Sequence, residues 1–298
     1  MSALPATWHT GSAWPELPYD SWRDTKTTLH MFAQVLGKLR LVLSPHEPEW
    51  MHVPLYVTAS GLTTEPMPYR DRVIQADLDL VDHRCSLHDG DGVMLGFPLP
   101  GRSVADFYAD VLGALRSLRV EVEINPKPQE VPDAVPFPED GRNSYDPHWV
   151  RRFHHALISV DQVFTQFRAG FRGRHSRVHF FWGSFDLSYA RFSGRNIDPP
   201  PGAGVISREA MDAEQFCCGF WPGDHRYPRP AFFSYAYPQP DGFKDATVRP
   251  AGAAWHEMGE FILPYDAIRG LADPAQGLLE FLGSSYQAGV SLAGWHQG

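Results

Sequence analysis

The chain has little of what marks several common protein classes. It carries three cysteines in 298 residues, Cys85 and the adjacent pair Cys217 and Cys218. That is too few for a disulfide framework, and sequence neighbours rarely reach bridging geometry. A reducing, cytoplasmic compartment is expected, with the pair read as two small buried hydrophobes rather than a redox or soft-metal site. Basic residues are in deficit, 26 against 35 acidic, for a formal charge of −9. That balance opposes binding to phosphate backbones or anionic lipid, so neither nucleic acid nor membrane is an expected partner. No apolar run reaches the ~18–20 residues needed to cross a bilayer. Met1 to Trp8 has neither the basic nor the apolar region of a secretory signal.

What is present is globular and rich in ring side chains: 14 histidines, nine tryptophans and 19 phenylalanines. Such residues line ligand sites and also fill cores. Spacings of three and four over Trp22, Thr25, Leu29, Phe32 and Leu36 predict a first helix, with Asp20 as its cap. The alternation over 39–43 and the stretch 51–58 read as strands. Residues 73–81 alternate cleanly, and a hairpin follows through the turn His88 to Gly92. Ser103 and Asp106 form a capping box for a second helix, and 119–124 closes the half as a strand. Prolines at 126, 128, 132, 136 and 138 make a connector of 125–145. Asp146-Pro147 opens a long helix with Val150, Phe153, Leu157, Val160 and Phe164 on one stripe. Beyond it lie a strand or bulged strand pair over 177–192, a loop over 199–204, a short helix over 207–215, strands over 232–237 and 257–263, and a helix opened by Asp273-Pro274. The fold class expected is α+β: halves 1–124 and 146–298, each a mostly antiparallel sheet of about four strands with flanking helices. The strings Gly96-Phe-Pro-Leu-Pro100 and Gly259-Glu-Phe-Ile-Leu-Pro264 each lead from the strands of one half into its following helix, so an internal duplication is one reading and chance likeness the other.

Trp14-Pro15, Thr28-Leu29-His30, Gly37-Lys38, the run His179-Phe-Phe-Trp-Gly-Ser-Phe-Asp-Leu187 continuing to Arg195, and Gly219-Phe-Trp-Pro-Gly223 carry a resemblance over nearly the whole chain. They resemble an uncharacterised bacterial family known only as a domain of unknown function. The resemblance implies a soluble bacterial protein and supplies no reaction and no catalytic residues.

The residues of the long run can be read by their chemistry. In a regular strand Trp182, Ser184, Asp186 and Ser188 share one face, and His179, Phe181, Phe185 and Leu187 the other. A bulge at Gly183 would swap the parity and bring His179 beside Asp186 as an acid/base pair or half of a metal site; without it His179 is a core histidine. Both alternatives stand on sequence. Arg191 and Arg195 flank Ser193-Gly194, where they either hold an anionic group or form surface ion pairs. On the first helix His30, Gln34 and Lys38 lie a turn apart, facing either the same cleft or water. Catalytic candidates are therefore His30, His179 and Asp186, and substrate-binding candidates Trp182, Ser184, Arg191, Arg195 and Tyr235. Cofactor, metal binding and oligomeric state are left open. The expected function is acid/base chemistry on a small polar or anionic molecule. The alternatives are a non-catalytic small-molecule binding protein, or a scaffold whose aromatic stretches form an oligomer interface.

Several motif-like strings fail on context. Glu49 and His52 have di-iron spacing, but Pro48 and Pro54 exclude a long helix. His256-Glu-Met-Gly-Glu260 lacks the second histidine of a zinc protease motif, and Asp89 to Gly92 is too short for a calcium loop. Gly202-Ala-Gly204 follows prolines rather than a strand, and Ser184 lacks a hydrolase elbow.

Overall fold

The computed structural model describes residues 13–199 and 201–295. Met1 to Trp8, where no leader is expected, and Pro200 lie outside the described residues. The chain is α+β, with two antiparallel sheets of six strands each rather than about four. Helix α1 (Tyr19–Leu43) leads into β1 (Tyr56–Val57), β2 (Gly61–Thr63), β3 (Met67–Tyr69), β4 (Arg72–Asp79), β5 (Arg84–Asp89) and β6 (Met94–Pro98), then α2 (Val104–Ser117). The second half runs α3 (Pro147–Ala169), β7 (His179–Phe181), β8 (Asp186–Asn196), α4 (Val205–Ala210), β9 (Ala213–Trp221), β10 (Ala231–Tyr237), β11 (Ala254–His256), β12 (Glu260–Pro264), α5 (Tyr265–Arg269) and α6 (Pro274–Leu292). Strand order is β1-β2-β4-β5-β6 in the first sheet, with β3 also on β4, and β7-β8-β9-β10-β12-β11 in the second. No helix among the described residues is long and apolar enough to cross a membrane.

The capping signals are where the sequence places them. Ser103 and Asp106 close a capping box on α2, and the Asp146 and Asp273 side chains accept from the first turns of α3 and α6. The stripe of α3 is fully buried from Val150 to Phe164. Four expectations are corrected. Residues 39–43 continue α1 to its end at Ser44, because the helix running from Leu36 overrides a five-residue alternation, and Arg40 turns inward to donate to the carbonyls of His52 and Thr64. Asp20 sits in the first turn of α1, where its charge suits the helix dipole, and does not cap it; Pro18 occupies the cap position. Residues 119–124 make no ladder. They run extended, with the Glu121 N–H donating to the Tyr69 hydroxyl at 3.0 Å. The helix expected over 207–215 ends at Ala210, and Ala213 begins β9, a strand in the interior of the second sheet.

The two sheets meet where Leu55 and Phe180 exchange backbone hydrogen bonds of 2.9 Å in each direction. One apolar core runs through both halves. Helices α3 and α6 cover one face of the second sheet: Tyr189 packs edge-on to Phe167 of α3, and Phe216 to Tyr286 of α6. Alternation along β8 and β9 therefore sends Asp186, Ser188 and Cys217 to the opposite face, the floor of a cavity.

Candidate functional site

The cavity has a volume of about 1180 Å³. Its floor is the open face of β7 to β10 with Glu260 at the start of β12, and its walls are α1, the connector around Gln129 and Glu130, the segment around Trp50, and α4.

Residues 179–188 form neither a regular strand nor a bulge. They make a tight hairpin, β7 and β8 joined by the four-residue turn Trp182 to Phe185, closed by the Phe185 N–H donating to Phe181 O at 2.8 Å. Phe185 takes a left-handed φ of 60° and buries its ring against Phe153 and His30. The turn resets the parity, so Phe181 pairs with Asp186 and His179 with Ser188. Because cross-strand partners share a face, His179 and Asp186 both face the cavity, while Phe180 and Leu187 enter the core.

Trp182 leaves the turn toward α1, donating its indole N–H to Val53 O at 2.9 Å. It lies so close that a Cβ on Gly37 would come within 2.0 Å of the indole, which is the physical need for glycine there. Gly183 likewise makes room for the connector, since a Cβ on it would lie 2.8 Å from the Glu130 carboxylate. Gln34 secures that connector by a two-way bond with the Gln129 backbone, donating at 2.8 Å and accepting at 2.7 Å. His30 Nε2 is 2.9 Å from Trp182 O and 3.0 Å from Gly183 O, and also 3.0 Å from the Gln34 amide nitrogen. Two carbonyl acceptors against one amide donor assign Nε2 as the protonated nitrogen and Nδ1 as the acceptor. Lys38 does not reach the cavity wall; its amine lies over the rings of Trp182 and Phe137.

Charge on the floor is unusual. Burial pushes the Asp186 carboxyl up to about 7, with the negative charges of Glu130 and Glu260 adding to the rise and a bond from the Ser184 hydroxyl opposing it. Burial also raises Glu260 to about 7, against the pull of Arg226. Glu130, exposed on the cavity wall, shifts upward by partial desolvation. His30 and His179 are both lowered to about 3, chiefly by burial, and by Lys26 in the first case and by Arg177 and Arg40 in the second. Both imidazoles are therefore neutral near pH 7. The Cys217 thiol, 3.2 Å from the Ser188 hydroxyl, is pushed up to about 11 by burial and stays protonated. Cys218 points to the helix side of the same strand, so the two thiols face apart. All three cysteines are free and buried.

Of the residues singled out from sequence, the structure brings His30, His179, Asp186, Trp182, Ser184 and Tyr235 to one cavity. It does not bring Arg191 and Arg195 there. Arg191, on the helix side of β8, is 5% exposed, lies over Phe167 and Tyr286, and donates to Phe167 O. Arg195 holds the Glu214 carboxylate at 2.5 and 2.8 Å beyond the cavity. Strand parity excludes the first and a local ion pair occupies the second. Sequence reading missed Glu130, Glu260, Cys217 and Lys26. The first two lay in strings set aside as linker and as a failed zinc motif, and their only signal was an acidic side chain beside a turn. Glu49 also lines the cavity, paired with Arg174. Trp182 and Trp221, the tryptophans of the aromatic stretches on which the oligomer-interface alternative depends, are only 5% and 8% exposed within the single chain. Among the described residues no group of three His, Cys, Asp or Glu is arranged to hold a metal ion.

The sequence model of a family of unknown function, DUF5996, matches residues 14–298, and the chain belongs to that family. No curated protein and no solved structure matches.

Proposed function

With membership of a family of unknown function as the premise, we propose that this chain is an enzyme that moves protons on a small polar molecule bound in the cavity. One observation carries the reading: the cavity floor brings together two carboxyls withdrawn from water, Asp186 and Glu260, and burial lifts each to about 7. A carboxyl poised near the working pH can act as acid in one step and base in the next, which is the condition for efficient general acid/base catalysis. The histidines take other parts. An imidazole held near 3 is a weak base, so His179 serves as a neutral hydrogen-bond partner and His30 as a positioning residue that fixes the turn bearing Trp182 and Gly183. The aromatic rings of Trp221, Phe233 and Tyr235 supply the apolar wall.

The substrate class changes with the placement of the arginines. The case for an anionic substrate rested on Arg191 and Arg195, and without them the wall carries more carboxyls than cations. The favoured substrate is polar and neutral or amine-bearing. Free, buried cysteines support a reducing, cytoplasmic setting. A leading helix and a six-stranded antiparallel sheet in each half support a divergent duplication, while the α4 insertion and the different strand orders speak for chance likeness.

The test is an untargeted incubation of the purified protein with a metabolite extract, followed by mass spectrometry, with Asp186→Asn and Glu260→Gln in parallel. Compounds consumed and formed by the wild type and spared by both variants support the reading. Conversion unchanged in both variants refutes it. Retention of a compound without conversion favours a binding protein, a reading that gains from the polar atoms of His30 and Ser184 being already committed within the chain.

A further inference from the structure

Lys26 stands on α1 one turn before His30, on the cavity wall, and is only 7% exposed. The wall holds two Lys or Arg side chains. Arg226 is tied to Asp224 at 2.9 and 2.8 Å, whereas Lys26 makes no ion pair among the described residues; its amine lies 5.6 Å from the centroid of the Tyr19 ring, with the charge of Asp224 acting on it from beyond ion-pair distance. The choice of residue type is informative. The chain has four lysines, Lys26, Lys38, Lys127 and Lys244, and the rest of its 26 basic residues are arginines. A guanidinium at position 26 would supply charge and hydrogen bonds equally well; what a lysine adds is a primary amine able to lose its proton and act as a nucleophile.

We propose that Lys26 is a covalent attachment site for a carbonyl-bearing ligand, an aldehyde or ketone, which it captures as an imine. The Nζ lone pair adds to the carbonyl carbon, forming the C–N bond and a carbinolamine. The C–O bond then breaks, and the carbonyl oxygen leaves as water with the two hydrogens of the amine. The step consumes no oxidant or reductant. It deepens the acid/base reading by naming the substrate's functional group, and it rests on that reading for the chemistry after capture: a proton on the carbon beside the imine is acidified by the attached nitrogen, and Asp186 and Glu260 stand ready to move it.

The environment favours the reactive form. Burial lowers the amine to about 8, with Asp224 pulling the other way. At neutral pH roughly two hundredfold more of it is free base than of an ordinary lysine amine near 10.4. Lys38, the other buried lysine, lies off the cavity wall, and Lys127 and Lys244 are exposed.

The test is reductive trapping on the full chain: limiting propionaldehyde with cyanoborohydride at neutral pH, then peptide mapping of the added propyl group. Lys26 is expected to carry roughly ten times the label of Lys127 or Lys244, and the Lys26→Arg chain to lose that label while keeping its circular dichroism. Labelling ordered by exposure, with Lys127 and Lys244 ahead of Lys26, overturns the proposal. The wild-type map alone decides the matter if Lys26→Arg does not fold. Mapping at peptide level also separates the N-terminal amine, whose ordinary pKa near 8 makes it a competitor. Trapping needs no turnover, so its failure leaves proton transfer by Asp186 and Glu260 standing. Failure of the Asp186→Asn and Glu260→Gln comparison equally leaves the map to be read on its own.

Discussion

At Asp186 the electrostatics of the cavity become a measurable stability. A carboxyl that titrates at about 7 when folded and near 3.9 when unfolded binds its proton more tightly in the native state. The native state therefore holds more protons than the unfolded chain between those values, and stability falls as pH rises from about 4 through about 7. Asp186→Asn removes that dependence. The variant should gain on the wild type by on the order of a few kcal/mol between pH 4 and pH 8, read as a difference in melting temperature that grows with pH. A difference that stays flat across the range would show that the carboxylate is solvated and unshifted. The histidines oppose this trend. With folded values of about 3 against an ordinary 6.5, His30 and His179 contribute stability that is present above 6.5 and lost as pH falls toward 3. Their ring resonances should hold neutral positions by NMR from pH 8 down to pH 5, where an exposed histidine is already protonated. Titration of either ring near 6.5 would contradict the burial argument.

Among the elements, the contact that sets the site is α1 against the turn between β7 and β8. Glycine inside a helix ordinarily costs about 1 kcal/mol relative to alanine, so Gly37→Ala should stabilise an isolated α1. Here the added Cβ would stand 2.0 Å from the Trp182 indole, far inside the contact distance of ~3.5–4 Å, and the clash wins. We expect a net loss of roughly 1–3 kcal/mol in denaturant unfolding and a shift in tryptophan emission as the indole leaves Val53. Unchanged stability and emission would mean that the turn moves freely against the helix. This junction also marks the limit of what the sequence made legible. Helix boundaries at Ser103, Asp146 and Asp273 were readable because caps are local chemistry. The grouping of His179 with Asp186 was readable only as one of two alternatives, because strand parity depends on a turn whose fourth residue, Phe185, adopts a left-handed conformation with no glycine to announce it. Arg191 was misplaced for another reason: five residues on from Asp186 in the same strand, it falls on the opposite face whatever the turn does. Glu130 reaches the cavity from a proline-rich connector whose path is set by Gln34, 95 residues upstream of the backbone it grips.

For the whole molecule, the proline-rich connector suggests two separable halves, and the packing argues otherwise. Phe153 of α3 lies against Trp22 of α1, the His30 ring of α1 packs tilted against Phe185, and Leu55 completes a backbone bridge to Phe180. Each of these contacts joins residues on opposite sides of the connector, and the buried apolar cluster runs through all of them. The cavity follows the same seam, its floor from the second sheet and one wall from the first helix. Losing either half exposes core belonging to the other, so neither half is expected to retain its fold once its partner has opened. Calorimetry should therefore show one cooperative transition for the chain, with the van't Hoff enthalpy matching the calorimetric value. The near-UV signal of the tryptophans, present in both halves, should be lost in step with far-UV helix signal. Two resolved transitions, or a calorimetric enthalpy about twice the van't Hoff value, would divide the molecule at the connector. The cavity would then be an interface between independently stable units rather than a recess in one core.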